Sequence, residues 1–208
     1  MYKELLAAAA IVLTFVMFGP YVRSIRAGRT KPHVFSWLIW ALGTFVVFLA
    51  QLADRGGSGA WPIGVSGVIT GYIAVLAYSR RSDTSITRVD WVFLAVAFAA
   101  LPSWLMTSNP LTAVVLLTAM DLAGFAPTFR HAFSHPHEER IGFYSLGVMR
   151  NVLAIAALEH YSLTTVLFPA AVGIACALFV LMVGYRRTKL RLSGEHDGGP
   201  STVTEQHR

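Results

Sequence analysis

The stretch Pro20-Tyr21-Val22-Arg23 decides the fold, because it returns as Pro127-Thr128-Phe129-Arg130 at a spacing of 107 residues. The same spacing relates Pro62 to Pro169, Tyr78 to Tyr185 and Arg80 to Arg187. Seven apolar stretches run around these markers: Leu5–Pro20, Val34–Ala53, Trp61–Tyr78, Val89–Met106, Leu111–Phe129, Ile141–Leu158 and Leu163–Tyr185. The fourth falls outside both copies. A unit of three helices, a spare helix and the same unit again is therefore the expected plan.

Composition agrees with a membrane setting. Of the 208 residues 55% are hydrophobic and 13% charged, and the mean hydropathy is +0.56, outside the range of soluble globules. A bilayer core of about 30 Å takes roughly 20 apolar residues per helix. The apolar runs are too long, and lack the two-residue alternation, for barrel strands. Helices satisfy their own backbone in lipid, so an all-α membrane protein of seven transmembrane helices is predicted.

The net charge of +6 reports topology rather than nucleic acid. Arg23, Arg26, Arg29 and Lys31 follow the first span, Arg80, Arg81 and Arg88 the third, Arg130 and Arg140 the fifth, and five more basic residues the seventh. Fourteen of the seventeen Lys and Arg residues thus lie on one side, with Lys3 and Arg55 opposite and Arg150 inside a span. The positive-inside rule puts the amino terminus outside and the carboxyl tail in the cytoplasm, in the cytoplasmic (inner) membrane. No cleavable leader is read at the start. Cys176 stands alone and is read as a small core residue.

The units are assigned as 1–81 and 109–190, joined by a linker helix over 82–108, with a disordered tail over 191–208. Three helices end on the side opposite their start, so the linker restores direction and leaves the two bundles parallel, an arrangement known among secondary transporters. Pro20, Pro62, Pro127 and Pro169 stand at equivalent places in the two units. Each removes a backbone donor, which makes them candidate hinges or caps.

Pro20-Tyr21-Val22-Arg23-Ser24-Ile25-Arg26, then Gly28-Arg29-Thr30-Lys31 and Ser36-Trp37, resembles the PQ-loop segment of the PQ-loop and SWEET superfamily. Pro127-Thr128-Phe129-Arg130, leading to Phe143-Tyr144-Ser145, resembles its second copy. The resemblance implies a three-one-three bundle with an outside amino terminus, moving a small solute by alternating access, passively or linked to protons. Tyr21 and Thr128 replace the glutamine of the Pro-Gln pair, and neither third helix holds the asparagine of sugar carriers. Sugar is therefore not implied as cargo.

An ionisable group at bilayer depth costs roughly 2.5–3.5 kcal/mol on insertion scales and is sited for a partner or cavity. Asp121 and Arg150 fall at similar depth on successive antiparallel helices, and are expected to pair, with Asn151 and Thr118 completing the hydrogen bonds. Asp121 is the candidate proton-linked switch. Thr44 belongs to the comparable region of the first unit. Trp37 and Trp40, three residues apart on one helix face, and Tyr144 are candidate aromatic walls for the solute. His131, His135 and His137 read as solvated loop residues rather than a zinc site. No cofactor or metal is expected. The expected partners are the lipid bilayer and a small-molecule solute, not nucleic acid, and a homo-oligomer is left open.

Two other classes compete with a carrier: a non-transporting regulatory or sorting membrane protein of the same fold, and a membrane-embedded enzyme. The enzyme reading is disfavoured because Asp121, Glu159, His160 and the loop histidines are split between the two sides. A retinal-binding receptor is excluded, since Lys189 lies beyond the last span.

Overall fold

The computed structural model describes residues 1–80, 84 and 86–196, with only the backbone of 193–196. The described residues form seven helices and no strand: α1 (Tyr2–Arg26), α2 (Val34–Ala53), α3 (Trp61–Ser79), α4 (Arg88–Thr107), α5 (Pro110–Ser134), α6 (Ile141–Ala156) and α7 (Leu163–His196), with a 3-10 turn at Gly57–Ala60 leading into α3. Six are long and apolar enough to cross a membrane; α6 is shorter. At 1.5 Å per residue, its 16 residues rise about 24 Å, less than the ~30 Å core. Large apolar side chains such as Val68, Val75, Leu105, Ile174 and Leu181 face outward, as lipid-facing surfaces require. This is the architecture of a multi-pass membrane protein.

Each end has a local cause. Gly28, at φ +71°, stops α1: Arg29 N–H donates to Ser24 O at 3.0 Å and Gly28 N–H to Ile25 O at 2.9 Å, closing the last turn in a Schellman motif. The helix therefore runs six residues past Pro20, and α5 runs seven past Pro127. These two prolines lie inside helices rather than ending them, a correction to the expected first and fifth spans. Arg55, at φ +60°, closes α2 in the same way, with Gly56 N–H donating to Gln51 O at 2.7 Å. Thr87 and Asp90 form a reciprocal capping box that starts α4, and Asn109 with Pro110 starts α5.

α3 packs against both α1 and α2, and α7 against both α5 and α6. α1 meets α6, α2 meets α5, and α4 lies against α5 and α2. The main core joins α2, α3, α4 and α5 through Ile39, Val47, Phe48, Ile63, Ala97, Val114 and Leu117. Where α2 and α5 cross, Gly43 admits Leu117 and Met120, whose side chains lie 3.3 Å from where a Cβ would stand. Helix α7 continues to His196, through the first residues of the segment expected as tail. The rest of that segment, 197–208, lies outside the described residues, as do 81–83 and 85 around the expected boundary of the first unit.

Candidate functional site

Arg150, on α6, is 6% exposed and ties three helices together. Its Nε donates to Thr14 Oγ1 of α1 at 3.2 Å, its Nη2 to Pro62 O of α3 at 2.8 Å, and its Nη1 to Asn151 Oδ1 at 3.1 Å. Thr14 in turn donates to Ala10 O at 2.8 Å, and Asn151 Nδ2 to Gly147 O at 2.9 Å. A buried cation is tolerated only when its donors are satisfied. Here all three guanidinium nitrogens are, entirely by uncharged acceptors.

Asp121 is not among those acceptors. It is half-buried on α5 and, among the described residues, makes neither a hydrogen bond nor an ion pair. It stays within electrostatic range of Arg150 and Cys176. The expected Asp121–Arg150 pair is thus not formed. Equal depth on neighbouring stretches does not fix rotation about the helix axis, and the guanidinium turns toward α1 and α3 instead. Asn151 does bind Arg150 as expected, whereas Thr118, 4% exposed, bonds back to its own helix at Val114 O, 2.6 Å away. Thr44 is half-buried, its methyl 3.7 Å from where a Cβ on Gly67 would stand.

The aromatic residues form one connected belt. Trp37 meets Trp40 edge-on at 5.3 Å and stacks on Tyr21 at 5.2 Å. Phe18 bridges Trp37 at 6.3 Å and Phe143 at 5.9 Å. Phe143 leads to Tyr144 at 5.4 Å, which packs on Phe179 at 3.9 Å. The predicted walls on α2 and α6 are therefore joined through Phe18 of α1. Phe18 and Tyr21 were missed, although their three-residue spacing on one helix face was a usable signal.

At the opposite end, the loops after α2 and α6 are tied together. Ser162 Oγ donates to Asp54 Oδ2, His160 Nδ1 lies 3.0 Å from Asp54 O, and Glu159 accepts from Ser58 N–H at 3.2 Å. Lys3 Nζ holds Leu158 O at 2.6 Å and Ser58 Oγ holds Ala157 O at 3.0 Å, which fixes the early end of α6. Gln51, fully buried, donates to Thr165 O at 2.7 Å and leaves its own Oε1 without a partner. Asp54, His160 and Ser162 do converge on one face. But Ser162 caps α7, exchanging bonds with Thr165 N–H and Oγ1 at 3.0–3.2 Å, and its hydroxyl points at a carboxylate rather than at the imidazole. That arrangement ties the start of α7 to the loop after α2.

Of the candidate hinges, Pro62 is buried in the first turn of α3 and Pro169 is buried within α7; Pro20 and Pro127 are exposed. His131 lies in the last turn of α5 rather than in the loop expected for it; it stacks on His135 at 5.0 Å and lies 3.1 Å from Glu138. Compared with protein-family models, curated proteins and solved structures, the chain matches none.

Proposed function

We propose that the protein is a transporter in the cytoplasmic (inner) membrane that moves a small polar solute by alternating access between two parallel three-helix units. The units are 1–81 and 109–190, with α4 as linker. The carrying observation is the helix packing. Exchanging α1 with α5, α2 with α6 and α3 with α7 turns the α1–α3 and α2–α3 contacts into α5–α7 and α6–α7, and α1–α6 into α5–α2, all of which are present. Side chains support the same equivalence. At the spacing of 107 residues, Trp40 matches Gly147 and Met17 matches Gly124. A Cβ on Gly124 would lie 3.8 Å from Trp40 Nε1, and one on Gly147 would lie 3.8 Å from Met17 Cε. The two crossings thus juxtapose equivalent positions, with large and small residues interchanged.

The solute passes between the units, along the seam that carries Arg150, Asn151 and Asp121 and is flanked by Trp37, Trp40 and Tyr144. The ties among Asp54, Ser58, Glu159, His160 and Ser162 close one end in this conformation and must part when the units rock. The basic loops put that end outside. Asp121, free of a partner among the described residues, is the group available to carry a proton.

The test is exchange in proteoliposomes loaded with a mixed pool of small polar solutes, read by mass spectrometry. Saturable movement of one chemical class, lost in Arg150→Met, is the expected result. A folded protein that moves nothing above empty liposomes ends the transporter reading. Transport by Asp121→Asn that keeps its rate and pH dependence removes the proton-linked version.

A further inference from the structure

We propose that the Arg23 end of α1 holds a binding site for one anionic phospholipid, gripped by its phosphate. A cavity of about 440 Å³ opens there, lined among others by Phe15, Val16, Gly19, Arg23, Arg29 and Arg140. Three separate elements supply its charge: the last turns of α1, the turn that follows, and the residue that begins α6. The turn at Gly28 folds Arg29 back over α1, and Ser24 Oγ and Thr30 Oγ1, 2.6 Å apart, hold it there. The guanidinium groups of Arg23, Arg29 and Arg140 make no hydrogen bond or ion pair among the described residues, and no carboxylate among them lines the cavity. Of the two acids in the α5–α6 loop, Glu138 lies against His131, and Glu139, beside Arg140 in the chain, is not among the residues that line the cavity. Arg26 flanks an adjoining cavity of about 500 Å³ that shares Gly19 and Arg23.

A free phosphate ion and a lipid phosphate offer the same oxygens to these arginines. The lower wall favours the lipid. Phe15 and Val16 are 57% and 51% exposed and stand about two turns, roughly 12 Å, from Arg23 toward the helix middle. Gly19 separates wall from arginines and leaves the groove open, with nothing within 4 Å of a Cβ placed there. An acyl chain along Phe15 and Val16 puts its phosphate beside Gly19, under the three guanidiniums.

The experiment counts lipid retained by purified full-length protein after detergent washing, with phosphatidylglycerol and phosphatidylcholine offered together. Basic side chains at an anionic surface favour the charged lipid, so roughly tenfold enrichment of phosphatidylglycerol is expected. Arg23→Gln with Arg29→Gln should return the ratio to near one. Gly19→Leu keeps every charge, places its Cβ where nothing lies within 4 Å and extends into the groove, and should lose the enrichment as well. Enrichment that survives Gly19→Leu means diffuse attraction and overturns the site. Equal retention of the two lipids by the unaltered protein overturns it too. Displacement of phosphatidylglycerol by millimolar inorganic phosphate would assign the site to a soluble anion instead.

Discussion

Thr14→Val removes the acceptor that Arg150 Nε uses on α1 while changing little in shape, so it isolates one link between α1 and α6. Neutral hydrogen bonds between helices in a bilayer average about 0.6 kcal/mol in double-mutant cycles, with a maximum near 1.7. A guanidinium donor lies at the strong end, since bonds to charged groups contribute about 1.5–3 kcal/mol in proteins generally. Thr14→Val should therefore cost about 1.5 kcal/mol in the unaltered background. In the Arg150→Met background it should cost only the loss of its bond to Ala10 O, which leaves a coupling near 1 kcal/mol. Reversible unfolding of the four proteins in mixed micelles measures the cycle. Thr118→Val is the control, because Thr118 bonds only within its own helix; its effect should add to that of Arg150→Met within about 0.3–0.5 kcal/mol. Additivity of Thr14→Val and Arg150→Met to the same tolerance would refute the link.

Gly59→Ala should destabilise the protein by about 1–3 kcal/mol or more, because the new Cβ would stand 2.5 Å from Leu158 N and 2.7 Å from Ala154 O; thermal unfolding checks it. Arg55→Gly should stabilise by about 0.5–1 kcal/mol, since Arg55 holds φ +60° where only glycine is unstrained, and the same assay reads the sign. Asp54→Ala removes the carboxylate that Ser162 uses and should speed hydrogen exchange at Glu159 N–H, which bonds to Gly56 O across the two loops. In a Cys176→Ser background, Tyr2→Cys should react with a membrane-impermeant thiol reagent added outside intact cells and Arg29→Cys should not; the reverse pattern would invert the proposed orientation.

The helices were legible because apolar length and charge placement are properties of segments. Six expected spans, those starting at Val34, Trp61, Val89, Leu111, Ile141 and Leu163, begin within a residue of the helices observed. The ends were less legible where two stop signals competed. Pro20 was taken as the end of α1, yet Gly28 ends it: a proline costs one bond inside a helix, whereas a left-handed glycine gives the last carbonyls their partners. The charged pair failed for another reason. Asp121 and Arg150 were placed at similar depth, which a sequence gives through the rise per residue, but their facing depends on how each helix is rotated by its neighbours. Nothing local announced that Arg150 would find Pro62 O, 88 residues away, and the loop ties at Asp54 and Ser162 are equally non-local.

The duplicated reading gives a physical account of why those two charges stand apart. At the spacing of 107 residues, Asp121 is the counterpart of Thr14, and Arg150 of Gly43. The bond between Arg150 and Thr14 spans α6 and α1; under the proposed repeat, the equivalent pair in the other crossing is Asp121 of α5 and Gly43 of α2. One crossing therefore has a long donor and a short acceptor, already joined. The other has a short acid and, at the position equivalent to Arg150, a glycine. A cation filling the position of Gly43 would neutralise Asp121, but it could not fit where Leu117 and Met120 already close to 3.3 Å of a Cβ. On the proposed reading, the acid is left unpaired by the same close approach of α2 to α5. Gly43→Ala tests this directly. Overpacking at the crossing should cost about 1–3 kcal/mol, and a cost near zero would show that the approach of α2 to α5 is not what keeps Asp121 unpaired.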